Sequence, residues 1–139
     1  MVATRIDNVV YAVVCGCLLF VGCGTDGDLA GVSGQVTLDG EPLVGASIEF
    51  IPTSNYGEPS SAVTDERGRY QLMRTFRQRG ARPGEYLVVI CTAGPTAGGT
   101  CTDEDATTER VPACYNTQTE LVQTVEPGKN KFDFELVTR

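Results

Sequence analysis

Three groups of side chains in this sequence could carry chemistry, and the complete absence of histidine narrows what each can do. The first is the cysteines, Cys15, Cys17, Cys23, Cys91, Cys101 and Cys114. Thiols acylate, crosslink or hold metal, but no Cys-x-x-Cys spacing is present, and three thiols without histidine make a poor zinc site. The second group is Asp103, Glu104, Asp105 and Glu109. Calcium takes several such oxygens, yet the regular Asp-x-Asp-x-Asp-Gly spacing that would orient them is missing, so a solvated acidic loop is expected. The third is Arg67, Arg69, Arg74, Arg77, Arg79 and Arg82, which could face an anionic polymer, lipid headgroups or an acidic partner. The plainer reading is a sheet edge protected by charge. Catalysis lacks its parts. Without histidine the triads that depend on it vanish, and Glu49 and Glu85, both on strand positions, read as solvent-facing rather than as a paired acid and base. The chain reads as non-enzymatic, with no catalytic residue, cofactor or metal expected.

What Cys23 does depends on what precedes it. Arg5 and the amino terminus give a weakly positive start, residues 9–21 are apolar, and Gly22 offers a small residue before the cysteine. These 13 apolar residues, at about 1.5 Å rise each, cover roughly 20 Å, while a spanning helix needs about 20 residues to cross about 30 Å of hydrocarbon. A removed signal fits better than a retained anchor. The segment Phe20-Val21-Gly22-Cys23 resembles the lipobox of a bacterial lipoprotein signal. The resemblance implies removal of residues 1–22 as a helical signal peptide. Cys23 then becomes the first residue of the mature protein, carrying diacylglycerol on sulfur and a fatty acid such as palmitate on nitrogen. Two or more acyl chains anchor where one holds only marginally. Gly24 stands where an aspartate would mark inner-membrane retention, so outer-membrane attachment follows by analogy. Residues 23–31, rich in Gly, Asp and Thr, read as a tether between lipid and domain.

The 117 residues after position 22 suffice for one domain with a single core. The net charge of −7 survives removal of the signal, which takes Arg5 and Asp7 together, and it repels phosphate backbones. Nucleic acid is therefore not expected as a partner. The absence of tryptophan removes the best stacking platform for a sugar. Of the thiols, Cys91, Cys101 and Cys114 remain in an oxidising compartment, which leaves one odd. A Cys91–Cys101 bridge is favoured, because residues 92–100 form a Gly-, Pro- and Thr-rich loop that can bring the two together. Such a crosslink is worth on the order of 2–3 kcal/mol. Cys101–Cys114 is the main rival.

The elements that must position these groups are all strands. Val32, Gly34, Val36 and Leu38 alternate with polar residues, a period of two that gives one buried and one wet face. Asp39-Gly40-Glu41-Pro42 reads as a turn. Ala46, Ile48 and Phe50 form the apolar set of the next strand, which Pro52 ends. A short strand at residues 62–64 enters a turn in which Asp65 can bond its own backbone and Gly68 supplies the exit conformation, and Tyr70 and Leu72 resume the alternation. An arginine-rich segment, residues 74–82, follows. Residues 85–91 are apolar on both faces and make the best central strand. Residues 119–126 and 131–137 complete the pattern, the latter with Phe132, Phe134 and Leu136 inward. No stretch after the signal shows a 3.6-residue period, so about seven strands with turns between them predict an all-β antiparallel sandwich.

The stretches VSGQVTLDGEPLVGASIEFIP, AVTDERGRYQL and PGEYLVVI resemble a carboxypeptidase-regulatory-like domain. The likeness is carried by Gly34 and Val36, by Gly40, Pro42, Leu43, Gly45 and Ala46, by Thr64, Asp65, Gly68 and Tyr70, and by Pro83, Gly84 and Tyr86. It implies a transthyretin-like (prealbumin-like) Greek-key sandwich over residues 32–138 and brings no catalytic motif with it. Members of the family occur as accessory domains on peptidases, transporters and adhesins. Tyr56, Tyr70, Tyr86 and Tyr115 could grip a sugar, but the alternation puts Tyr70 and Tyr86 in the core. The expected function is a non-catalytic, membrane-anchored module of the cell envelope, held to the lipid bilayer through acylated Cys23 and binding a protein or glycan. The alternative is an extracytoplasmic carrier of a small ligand or glycan, using loops at one end of the sandwich such as residues 92–109. A paired edge strand would also allow a dimer, and the sequence sets no oligomeric state.

Overall fold

The computed structural model describes residues 29–55, 57–92 and 109–139. In chain order the strands are β1 (Gly31–Leu38), β2 (Glu41–Pro42), β3 (Ser47–Pro52), β4 (Ser60–Val63), β5 (Arg69–Gln71), β6 (Met73–Thr75), β7 (Gln78–Arg79), β8 (Gly84–Cys91), β9 (Val122–Val125), β10 (Lys129–Lys131) and β11 (Phe134–Leu136). One short 3₁₀ turn, Ala113–Tyr115, precedes β9. The protein is thus mostly β, in two sheets. In the first, β1 pairs with β2, β5, β10 and β11, and the second runs β7-β6-β4-β3-β8-β9.

The alternation read from the sequence explains the core. Val32 and Val36 of β1, Ile48 and Phe50 of β3, Val88 and Ile90 of β8, and Phe134 and Leu136 of β11 are all buried in one cluster. Phe50 ties the sheets together, with its ring 5.9 Å from Tyr86 within its own sheet and 6.4 Å, edge-on, from Phe134 across the interface. Each such buried side chain contributes about 1.5–3 kcal/mol by leaving water. The central-strand expectation for residues 85–91 is met by β8, which lies between β3 and β9 and is buried at Tyr86, Val88, Val89, Ile90 and Cys91.

Three features depart from the strand pattern. First, β1 pairs in parallel with β10 and β11, so the first sheet is not purely antiparallel. Second, the strand expected over residues 131–137 is divided at Phe132 and Asp133. There the Asp133 carboxylate, in place of a strand carbonyl, accepts the Gln35 N–H at 2.9 Å. Third, the strand through Tyr70 and Leu72 changes sheets. Leu72, fully buried, donates its N–H to Val32 O in the first sheet, and the very next residue, Met73 of β6, is paired with Ser61 of β4 in the second.

Candidate functional site

The residues that carry the family-like pattern are spent on the fold. Thr64 is buried, donates its hydroxyl to Leu43 O at 2.5 Å and accepts the Ala46 N–H at 2.8 Å, which latches residues 43–46 against the end of β4. Asp65 Oδ1 accepts the N–H groups of Arg67 and Arg69 at 2.8 and 2.9 Å. Those bonds, first that of Arg69 and then that of Arg67, hold its carboxyl below the ordinary value. Gly68 turns at φ +70°, where a Cβ would lie 2.5 Å from Val36 O, so no other residue fits. The Tyr70 hydroxyl donates to Phe132 O at 2.6 Å, and burial, with the Asp133 charge adding to it, pushes its pKa up. Tyr86 reaches back to donate to Arg82 O at 2.8 Å, four residues upstream, as in a tyrosine corner. Both tyrosines are buried, as the alternation requires. Tyr115 is partly buried against the core, and Tyr56 lies outside the described residues.

Cys23 and Cys101 also lie outside the described residues, as do Asp103, Glu104 and Asp105. Cys91 is buried and disulfide-bonded to a partner beyond the described residues, whereas Cys114 is free and exposed on the 3₁₀ turn. Glu109 is committed to bracing the chain. It accepts the Thr92 hydroxyl at 2.7 Å and the N–H groups of Thr92 and Val111 at 2.9 and 2.8 Å. Among the described residues no three Cys, Asp or Glu side chains gather to hold a metal ion, and no helix is long and apolar enough to cross a membrane.

The two strand glutamates part company. Glu85 is exposed and accepts a bond from the Thr53 hydroxyl at 3.2 Å. Glu49 is not solvent-facing as its position suggested. It sits opposite Val89 and Ser61 on a sheet face that is apolar around β8; its Oε2 is buried without a hydrogen-bond partner, and desolvation raises its pKa. The period of two holds in β3, with Ile48 and Phe50 buried and Ser47, Glu49 and Ile51 half-buried, but β8 beside it is apolar on both faces, so the outer face at Glu49 is only partly wet.

The arginines divide between two ends of the molecule. Arg67 and Arg69 flank the Asp65 turn, and Arg79 lies on β7, the outermost strand, as edge protection requires. The others collect where the chain enters the sandwich. Ala30 is buried and bridges Ala81 antiparallel. The same end holds residues 53–55 and 57–59, the β6–β7 turn, the start of β8, and the turn from β9 to β10 that brings Gly128 O onto the Gly31 N–H at 2.8 Å. Arg74 donates its Nε–H to Glu58 at 2.6 Å. At the tip of the β6–β7 hairpin Phe76 is 85% exposed, with the Arg77 guanidinium 5.0 Å above its ring. Thr75 fixes this turn by accepting the N–H groups of Arg77 and Gln78 at 3.3 and 3.2 Å. Phe76 continues into an open groove that Val63 and Met73 also line. Phe76 carries little signal in the sequence, being an isolated aromatic residue in an otherwise polar, arginine-rich stretch.

No family model and no curated protein matches the chain. Among solved structures it is similar to chlorocatechol 1,2-dioxygenase from Pseudomonas putida, at 21% identity and a TM-score of 0.40, over 83% of this chain and 62% of that one. The chain thus spans less than two thirds of the enzyme's length, and a likeness this loose bears on neither fold family nor chemistry.

Proposed function

We propose that the protein is a non-catalytic lipoprotein of the bacterial cell envelope: a carboxypeptidase-regulatory-like, transthyretin-like Greek-key sandwich of residues 32–138, anchored through acylated Cys23 after loss of residues 1–22. The observation that carries this reading is the use made of Thr64, Asp65, Gly68, Tyr70 and Tyr86. Every one is occupied in holding turns and strands together, so the family-like pattern buys a scaffold and leaves no chemistry over. The anchor supports the same reading, since the lipobox-like cysteine stands seven residues before the buried Ala30. The open apolar strip of exposed Val63 and Phe76 with half-buried Met73 between them favours a surface-binding module over a carrier with an enclosed pocket. Outer-membrane attachment and a protein or glycan partner complete the proposal.

The test is a capture of the acylated, envelope-extracted chain after mild crosslinking, against its Cys23→Ala variant. A component retained only by the anchored form supports an anchored binding module. Identical captures from both forms, with wild type in the soluble fraction, move the carrier reading first.

A further inference from the structure

We propose that the tip of the β6–β7 hairpin, Phe76 with Arg77, is a second membrane contact that inserts into an anionic lipid surface and sets the orientation of the domain on the bilayer. The inference rests on the anchored reading above and adds a site and an orientation to it.

The starting point is topology. Ala30 and Ala81 exchange backbone hydrogen bonds of 2.7 and 3.0 Å, so the chain enters the domain beside the segment that leaves the hairpin. Gly80, at φ +102°, makes this contact feasible, because a Cβ there would stand 2.1 Å from Ala30 O. β6 runs antiparallel to β4 with Met73 opposite Ser61, which carries Thr75 past the start of β4 and puts Phe76 at the amino-terminal end of the sandwich. The ion pair of Arg74 with Glu58, in the loop before β4, fixes the same placement.

Length then limits where this end can be. The seven steps from Cys23 to Ala30 reach at most about 25 Å, and the five from Ala81 back to Phe76 at most about 18 Å. A chain acylated at Cys23 therefore holds Phe76 within reach of the headgroups. Tethering makes the second contact intramolecular, so that a contact too weak to bind a free protein is populated.

The chemistry of the tip suits that surface. An aromatic ring 85% exposed at a turn is an apolar wedge, and the guanidinium stacked on it can stay at headgroup level while the ring enters the acyl boundary. This end of the sandwich carries Arg74, Arg77, Arg82 and Lys129 against Glu58, Glu85 and Glu126, a small positive excess in a chain of net charge −7. The opposite end mixes Asp39, Glu41, Asp65 and Glu66 with Arg67, Arg69 and Arg110. An anionic bilayer is thus drawn to the amino-terminal end by its small positive excess.

The chain contains no tryptophan, so Phe76→Trp supplies a single emitter at an exposed position where folding is not at stake. The acylated full chain would be reconstituted on vesicles of phosphatidylcholine with phosphatidylglycerol, with bromines on the acyl chains in a parallel set. Blue-shifted emission, quenched by the bromines and lost when phosphatidylglycerol is omitted or when Arg77 and Arg82 are both changed to Gln, is the expected result. If the chain carries its acyl mass and floats with the vesicles while the tryptophan stays water-like, the tip contact is overturned and the anchor stands. If the mass shows no acyl chain, the anchored reading falls, and quenching by added vesicles then supports the tip alone whereas its absence overturns both. A blue shift produced by envelope protein and not by vesicles overturns the lipid assignment in favour of a protein partner.

Discussion

Ala30 and Ala81 each donate a backbone hydrogen bond to the other, and this seam decides which end of the sandwich receives the incoming chain. Gly80 has to be glycine for the seam to close. Gly80→Ala combines a positive φ with a backbone clash and is expected to cost more than about 1 kcal/mol. Denaturant melts would measure the loss, and hydrogen exchange should show the Ala30 and Ala81 amides opening before those of β8. Unchanged protection at both amides would mean that the seam does not hold the amino-terminal segment.

Thr64 is expected to matter more than its size suggests. Thr64→Val keeps the shape but leaves Leu43 O and the Ala46 N–H without their buried partner, at about 2–3 kcal/mol for the two bonds together. Thr53→Val, which loses only exposed bonds to Glu85, should fall within about 0.5 kcal/mol of wild type in the same measurement.

Glu49 gives a pH dependence of defined sign. Burial raises its folded pKa above the ordinary 4.5, so the folded state holds its proton more tightly than the unfolded chain does. Its cost to stability is then absent below pH 4.5, grows as pH rises through the window up to the raised folded value, and is complete above it. Glu49→Gln should accordingly melt higher than wild type at pH 7 and lose that advantage at pH 4. A constant offset at both pH values would place the carboxylate in water.

The thiols separate cleanly under alkylation. Native protein should label at Cys114 alone, since Cys91 is buried in a disulfide. Peptide mapping without reduction is expected to join Cys91 to Cys101, with Cys114→Ser leaving the bridge in place. Opening the bridge should cost on the order of 2–3 kcal/mol.

Much of this was readable from residue spacing. Val32 and Val36, Ile48 and Phe50, and Val88 and Ile90 declare their strands because a buried face repeats every second residue. The Asp65 turn was readable because its bonds are local. What spacing does not encode is partnership over distance. The parallel pairing of β1 with β10 and β11, and the change of sheet at Leu72, involve residues far apart in sequence. β6 and β7 have three and two residues, too few for a period to show, so the hairpin that presents Phe76 read only as an arginine-rich segment. Glu49 misled because its exposure is set by β8 next to it and not by its own strand.

The most direct measurement is the intact mass and amino-terminal peptide of the chain extracted from the envelope. The anchored account predicts a protein that begins at Cys23 and carries a diacylglyceryl thioether, and a Cys23→Ala form that lacks the lipid. A mature protein with an unmodified Cys23, or one that retains residues 1–22, would contradict it.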